Sequence, residues 1–240
     1  PANTKYNSVP NSQDIWYSIR DSAGNWSEAR HPKYPLNTMH YNAVYWISPD
    51  NNRILIRGAF TEGAYFGKGV SMCHLLPNGR WSEPNMLIIK NYGKYDRGRL
   101  SGATMAHDGQ TLLLYMTPIE GSALNDLFVC FLLPDGTWTE PKSLGKKINL
   151  PEYDEMTPYL AADGATLYFS SNRPGGLGDN DIYMTKRLDD TWQKWSDPVN
   201  LGNPINTENW DAFFTLDAGG EYAYLTTSLN TYGESDIVRV

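Results

Sequence analysis

A segment of 57 residues recurs along the chain, and this period limits the possible folds more than any other feature. L-L-P-N-G-R-W-S-E-P at 75–84 returns as L-L-P-D-G-T-W-T-E-P at 132–141, and L-G-K-K-I-N at 144–149 returns as L-G-N-P-I-N at 201–206. Four tryptophans keep nearly the same interval, with spacings of 55, 57 and 57 residues: Trp26, Trp81, Trp138 and Trp195. Several matched features at one period indicate copies of a single structural unit.

Each copy has the pattern of four short strands. In the copy at 157–206, the predicted strands are Tyr159–Ala161, Leu167–Ser170, Ile182–Lys186 and a fourth near Trp195–Val199. Asp163-Gly164 separates the first two strands, and Asp-Gly between apolar runs predicts a hairpin because both residues tolerate positive φ. No run of ten residues shows a clear period of 3.6, so we expect few helices.

Four-stranded units at this period are typical of β-propeller blades. A single four-stranded sheet leaves two apolar faces uncovered, and blades packed around an axis cover both. We therefore predict an all-β propeller of four-stranded antiparallel blades, forming one domain over residues 1–240. The recurring tryptophan is predicted to fill the gap between neighbouring blades rather than to stack on a ligand.

The number of blades follows from where the copies begin and end. We predict five blades, the first without its inner strands, at about 1–38, 39–96, 97–153, 154–209 and 210–240. A chain with an incomplete first blade is expected to be a piece of a longer protein. The alternative is a ring of four blades, in which Trp26–Arg30 supplies the outer strand of the last blade and Asp14–Ser18 is displaced.

Charge and hydropathy argue against a nucleic-acid binder and against a membrane-spanning segment. The chain has 20 Lys and Arg against 27 Asp and Glu, a net charge of −7, so the basic face of a nucleic-acid binder is not expected. No run approaches 18 apolar residues, so no membrane span is predicted. Residues 1–20 lack a signal-peptide pattern, which a mature exported chain would also lack.

One copy carries a family resemblance. D-E-M-T-P-Y-L-A-A-D-G-A-T-L-Y-F-S-S-N-R-P-G-G-L-G-D-N-D-I-Y at 154–183 resembles the TolB-type, WD-like propeller repeat, which has an acidic residue, Pro, a D-G turn, L-Y-F-S-S-N-R and D-I-Y. The match is partial at 209–238 and weaker at 42–84 and 99–141, which lack S-N-R-P. The W-x-x-P and L-G-x-x-I-N elements resemble repeats of Bacteroidetes-type envelope proteins.

This resemblance implies a cellular location and a binding role. Such propellers often accompany OmpA-like peptidoglycan-binding domains, including components of type IX secretion and gliding machinery. The resemblance implies a periplasmic or outer-membrane-associated scaffold that binds a protein partner, with a peptide or glycan as other possible ligands. Secretion is the alternative location, and the fold alone does not identify the ligand.

The residues expected to carry metal or thiol chemistry favour structural roles. Cys73 and Cys130 each precede a blade tryptophan by eight residues, so they are equivalent positions that splay apart, and we predict two buried, unbridged thiols. Cys73 and His74 point to opposite faces of a strand and cannot act as a pair. His31, His40, His74 and His107 form no local zinc pattern. In the loop at 172–181 the glycines are expected to supply positive φ and Asp181 to cap backbone N–H groups, rather than to bind calcium. No metal or cofactor is predicted.

An enzyme is the alternative function. Sialidase-like glycosidases are also propellers, but P-D-G-T-W at 134–138 lacks the Ser and the spacing of their Asp-box. A glycoside hydrolase also needs two carboxyl groups across the substrate. Asp154, Glu155 and Asp211 are the candidates, yet the first two belong to the repeat signature, so we predict no catalytic residues.

A ligand is expected at the propeller face formed by the loops before strand one and between strands two and three. The aromatic, arginine and acidic residues of those loops suit a peptide or glycan partner. The predicted binding residues are His40, Tyr41, Tyr65, Phe66, Arg97, Arg99, Asp154, Glu155, Arg173, Trp210 and Asp211. Arg173 is also expected to bond to a neighbouring loop, since it belongs to the repeat signature.

Overall fold

The structure, a computed structural model, describes residues 13–217, 219–229, 231 and 235–240. The chain divides into two compact units, unit 1 (Pro1–Leu87) and unit 2 (Ile88–Val240). The described residues form four antiparallel sheets, one in unit 1 and three in unit 2, each with its strands in chain order. These are blade-type sheets, and the part of the chain that the structure describes is an all-β propeller with four blades.

Unit 1 contains one blade. Its strands are β1 (Val44–Ile47), β2 (Arg53–Thr61), β3 (Ala64–His74) and β4 (Asn85–Met86). Buried apolar side chains of β2 and β3 pack with Leu36 from the preceding segment. Ile15 and Trp81 are partly buried against the same cluster. Residues from before β1 and from the β3–β4 connection therefore contribute to this core.

Unit 2 contains three blades and one short helix, α1 (Tyr92–Tyr95). The first blade has β5 (Gly102–Met105), β6 (Thr111–Met116), β7 (Asp126–Phe131) and β8 (Lys142–Ser143). The second has β9 (Glu155–Leu160), β10 (Thr166–Ser171), β11 (Asp181–Lys186) and β12 (Val199–Asn200), and the third has β13 (Asp211–Leu216), β14 (Ala223–Thr227) and β15 (Asp236–Arg239). The expectation of few helices is confirmed within the described residues.

Neighbouring blades of unit 2 pack through their inner strands. β9 contacts β5 and β6 of the blade before it and β13 of the blade after it. Trp195 is 1% exposed and shares a cluster with Leu144 and Ile148, which lie in the connection between two blades. Trp138 is also buried, and its backbone N–H donates to the Ile88 carbonyl at 2.8 Å. At Trp195 the tryptophan has the predicted packing role.

The prediction of five blades is wrong, and the alternative of four agrees with the four sheets. Residues 13–31 make only isolated bridges, Tyr17 with Arg30 and Arg20 with Trp26, instead of the sheet expected for a further blade. Trp26 is 59% exposed, so it does not fill a gap as its repeat partners do. Residues 1–12 of the predicted first unit lie outside the described residues.

Asparagine side chains pair with the third strands of the repeats. Asn206 accepts from the Ile182 N–H at 2.7 Å and donates to the Ile182 carbonyl at 2.9 Å. Asn149 bonds the two backbone groups of Leu127 in the same way, both at 2.9 Å. In unit 1, Asn37 makes the same two bonds with Ile15, at 2.7 and 2.9 Å, although Ile15 belongs to no strand. These side chains satisfy the strand where the short fourth strand has already ended.

The Asp-Gly turns form as predicted, but by a different geometry. At Asp163-Gly164 only the glycine has a positive φ, of 67°. The Asp163 carboxylate instead accepts from the N–H groups of Ala165 and Thr166, at 2.9 and 2.8 Å. The side chain therefore fixes this turn through hydrogen bonds to the chain that follows it.

The two cysteines are free and buried, which confirms the predicted unbridged thiols. Burial raises the pKa of Cys73 and of Cys130 to about 12. Both therefore remain protonated near neutral pH and have little nucleophilic character.

Candidate functional site

A cleft of about 520 Å³ lies in unit 1 between the segment that precedes β1 and the β2–β3 hairpin. We call it the unit 1 cleft. Its volume lies in the range of small-ligand sites. It is lined by Asp14, His31, Lys33, Tyr34, Asn37, Thr38, Met39, His40, Phe60, Gly63 and Tyr65.

The β2–β3 hairpin has a tight turn that allows one wall of the cleft to form. Glu62 and Gly63 have φ of 50° and 78°, as a two-residue turn of type I′ requires. A Cβ at Gly63 would lie 2.6 Å from the Tyr34 hydroxyl and 2.9 Å from a Glu83 carboxylate oxygen. Tyr34 donates a hydrogen bond to Glu83, and this bond raises the pKa of Tyr34 to about 12.

The floor of the cleft holds a buried carboxylate beside an imidazole. Asp14 Oδ2 and His31 Nε2 are 3.3 Å apart, and the two side chains are 9% and 6% exposed. Asn37 Nδ2 donates to the carbonyls of Ile15 and Pro32 at 2.9 and 2.7 Å, which uses both of its hydrogens. The tautomer with a hydrogen on His31 Nε2 would donate it to Asp14 Oδ2. Asn42 Nδ2 lies 3.3 Å from Asp14 Oδ1, so both carboxylate oxygens are held.

Aromatic rings form the walls. The His40 and Tyr65 rings stack with centroids 3.8 Å apart and an interplanar angle of 23°. Phe60 lies 5.2 Å from the Tyr65 ring, and it is buried. His40 and Tyr65 were predicted from different loops, and the structure brings them into contact.

Two further predicted residues are exposed on the same loops of unit 1. Tyr41 is 58% exposed, and the Arg57 guanidinium lies over its ring, with Cζ 5.5 Å from the ring centroid. Phe66 is 68% exposed. Neither lines the unit 1 cleft, but both are available to a large partner.

In unit 2, Glu155 and Arg173 form a buried ion pair with a 3.1 Å contact, the two side chains being 0% and 7% exposed. Arg173 also donates to the carbonyls of Lys147 and Ile148, at 3.3 and 2.5 Å, which is the bond to a neighbouring loop expected from the repeat. Its guanidinium lies 4.6 Å from the Phe169 ring centroid. Burial raises the pKa of Glu155 to about 8, although the Arg173 charge opposes this effect.

The other two acidic candidates are also bonded within unit 2. Asp154 Oδ1 accepts from the backbone and the side chain of Asn125, at 2.7 and 3.0 Å. Asp211 is fully buried, and its Oδ2 accepts from the Thr207 N–H and hydroxyl at 2.7 and 2.9 Å. Each carboxylate therefore secures the start of an inner strand.

The remaining candidates of unit 2 occupy different environments. Arg97 and Arg99 are exposed, and Arg97 pairs with Glu120 on the surface. Trp210 is partly buried against the core and lies 6.0 Å from the Phe213 ring centroid. The structure does not bring these three residues together into a described cleft.

The described residues include no cluster of typical metal ligands. In that part of the chain, no group of three or more His, Cys, Asp or Glu side chains is placed to hold a metal ion. In the 172–181 loop, Asp181 Oδ2 accepts from the Leu177 N–H and from Asn200 Nδ2, the latter at 3.0 Å. Asp181 thus caps the loop as expected from the sequence.

Sequence reasoning missed most of the cleft floor. Asp14 begins D-I-W-Y at 14–17, which matches D-I-Y-M at 181–184 and indicates the start of a strand rather than a cleft. His31 and Lys33 carry no local pattern, since their approach to Asp14 depends on how residues 13–37 fold against the blade. Asn37 had a usable signal: Leu36-Asn37 matches Ile148-Asn149 in type, and the structure shows the same pairing role for the two asparagines.

No protein-family model matches the chain, and no curated protein matches its sequence. Solved structures do match. The chain is similar to the periplasmic gluconolactonase PpgL of Pseudomonas aeruginosa, with 13% identity over 96% of this chain and 64% of that one and a TM-score of 0.45. It is also similar to Bacteroides ovatus Xyloglucan PUL GH43B, with 16% identity over 78% and 36% of the two chains and a TM-score of 0.46.

A third match is prolyl oligopeptidase B of Galerina marginata, with 18% identity over 82% of this chain and 24% of that one and a TM-score of 0.44. The chain thus spans less than two thirds of each of these proteins. Because all three TM-scores are below 0.5, the propeller assignment rests on the four sheets of this chain. No helix within the described residues is long and apolar enough to cross a membrane.

Proposed function

We propose that this chain is a non-catalytic binding module of a bacterial cell envelope, and that it captures a protein partner through the unit 1 cleft and its exposed aromatic neighbours. The observation that carries the proposal is the contact of His40 with Tyr65 in a cleft of about 520 Å³. Rings on short rigid loops bind with little loss of conformational entropy. The envelope location, and association with an OmpA-like or type IX secretion assembly, rest on the repeat resemblance.

The state of the carboxylates supports binding over hydrolysis. Glu155, Asp154 and Asp211 are bonded to groups that hold the blades together. Asp14 is the one acidic residue among the described residues that line the unit 1 cleft. A glycoside hydrolase needs a second carboxyl group about 5–10 Å away, across the substrate.

Capture from envelope extracts tests the proposal. The immobilised chain is compared with a Tyr65→Ala, Phe66→Ala variant and with Trp26→Ala, which removes an exposed ring that does not line the cleft. We expect the double variant to lose at least about 80% of the captured partner, because aromatic anchors dominate interface energies. Trp26→Ala should retain it.

Equal capture by the folded double variant and the unaltered chain would contradict the proposal. A second assay measures release of nitrophenol from nitrophenyl glycosides. We expect no release above the uncatalysed rate, and release abolished by Asp14→Asn would instead favour the glycan-processing alternative.

A further inference from the structure

We infer that the unit 1 cleft binds an arginine side chain presented by a basic segment of the partner. This inference rests on the proposed function and names the chemistry of the group that is captured. The juxtaposition that carries it is a buried carboxylate, Asp14, at the floor of a cleft walled by the rings of Tyr34, His40, Phe60 and Tyr65.

The walls suit a flat cation. A guanidinium stacks on aromatic faces and gains from the negative face of the ring, more so when it is removed from water. Tyr34 and Tyr65 are 51% and 41% exposed, so part of each side chain remains accessible to a ligand. Elsewhere in the chain a guanidinium lies on an aromatic face, as Arg57 does over Tyr41 at 5.5 Å.

The floor suits the same group. A carboxylate has about four acceptor sites, and His31 and Asn42 each occupy one of those of Asp14. The two bonds fix the plane of the carboxylate and leave acceptor capacity toward the cleft. A fixed carboxylate is the partner that an arginine fork binds through two parallel hydrogen bonds.

The polar groups of the cleft favour a donor over a polyhydroxyl ligand or an anion. Asn37 uses both amide hydrogens on backbone carbonyls, Thr38 donates its hydroxyl to Asn42, and Tyr34 donates to Glu83. These bonds occupy the donor hydrogens of three lining side chains, while the carboxylate of Asp14 keeps acceptor capacity. Lys33 is the basic residue of the lining, and it is exposed, so solvent screens its repulsion.

The net charge of the molecule also favours a basic ligand. Its net charge of −7 attracts basic segments and raises their local concentration near the surface. A lysine would gain the Coulombic attraction to Asp14, but it has no flat face to stack on an aromatic ring. Arginine is thus the side chain that fits both the walls and the floor.

Nine-residue Gly-Ser peptides with one central arginine, lysine or citrulline test the inference by calorimetry. Citrulline keeps the shape of arginine and lacks its charge. We expect arginine to bind at least about 10-fold more tightly than citrulline, with lysine between them. Tyr65→Ala should weaken all three peptides, and Lys33→Gln should tighten the arginine peptide about 2- to 3-fold while leaving citrulline unchanged.

Asp14→Asn should bring the affinities of the arginine and citrulline peptides to within about 2-fold of each other, because it removes the charge that distinguishes them. Lys33→Gln alters an exposed side chain, so it remains informative if Asp14→Asn disturbs folding. Equal binding of arginine and citrulline would overturn the inference. Tyr65-dependent binding of a neutral hexasaccharide such as cellohexaose, without binding of the arginine peptide, would overturn it in favour of a glycan. If envelope capture depends on Tyr65 but the arginine peptide does not bind, the inference fails and the binding function stands; if capture ignores Tyr65, the proposed function itself fails.

Discussion

At the scale of single residues, two ionisable residues of unit 2 that sequence placed at a binding face, Glu155 and Arg173, instead form a buried pair that ties two blades together. Glu155 begins β9, and Arg173 follows β10 and reaches the Lys147 and Ile148 carbonyls. Such a pair loses hydration on burial, and its value lies in keeping every donor and acceptor matched. Removing one member is therefore more damaging than removing both.

Arg173→Met is expected to lower the free energy of unfolding by about 3–5 kcal/mol at neutral pH, because it removes the donor that satisfies the buried Glu155 carboxyl group and the Lys147 and Ile148 carbonyls. The folded-state pKa of Glu155, about 8 with Arg173 present, lies above its ordinary 4.5 and rises when the guanidinium is lost. A raised carboxyl pKa gives stability that is present below pH 4.5 and lost as the pH rises. Urea unfolding should show a cost of Arg173→Met that is nearly constant from about pH 4 to pH 7 and grows as the pH rises through about 8, where Glu155 ionises beside the guanidinium in the unaltered protein.

The control for this pair is Arg173→Met with Glu155→Gln. We expect the double variant to recover part of the loss and to remove the added pH dependence. A cost of Arg173→Met that is the same at pH 6 and pH 9 would contradict this account of Glu155.

The two thiols give a second prediction at this scale. Because burial raises the pKa of Cys73 and Cys130 to about 12, neither should react with Ellman's reagent at pH 8 in the native protein. In guanidinium chloride both should react, giving the two thiols of the sequence. Rapid labelling of the native chain would show that one of these positions is open to solvent.

At the scale of elements, the 57-residue repeat predicted the bounds of a strand well where that strand is long and packed on both faces. β11 (Asp181–Lys186) covers the predicted Ile182–Lys186. The fourth strand was predicted near Trp195–Val199, but β12 is Val199–Asn200, since Trp195 pairs only in an isolated bridge with Arg187. The loops of His40 and Tyr65 were predicted from strand order, whereas the approach of Asp14 to His31 depends on long-range folding that no local pattern encodes.

The repeat tryptophans test how far sequence equivalence extends to structural equivalence. Trp195→Ala should reduce the free energy of unfolding by about 3–5 kcal/mol, because a side chain that is 1% exposed leaves a cavity between blades. Trp26→Ala, at 59% exposure, should change it by less than about 0.5 kcal/mol. Urea unfolding followed by circular dichroism measures both, and equal losses would show that Trp26 is packed in solution.

At the scale of the whole molecule, the sheets supply rigidity and the net charge of −7 supplies long-range attraction for basic partners. These contributions separate experimentally, since attraction between exposed charges is screened at about 10 Å in 0.1 M salt and ring stacking is not. The association rate of an arginine-containing partner peptide, measured by stopped flow, should fall steeply as salt rises from about 0.02 to 0.5 M.

Two variants separate ring stacking from long-range charge attraction. Tyr65→Ala should raise the dissociation rate at every salt concentration and leave the salt slope of association unchanged, because it removes a contact made only in the complex. Lys33→Gln should steepen that slope, since it removes one positive charge near the unit 1 cleft. An association rate independent of salt would show that the acidic surface does not guide the partner, and that stacking on the rings alone selects it.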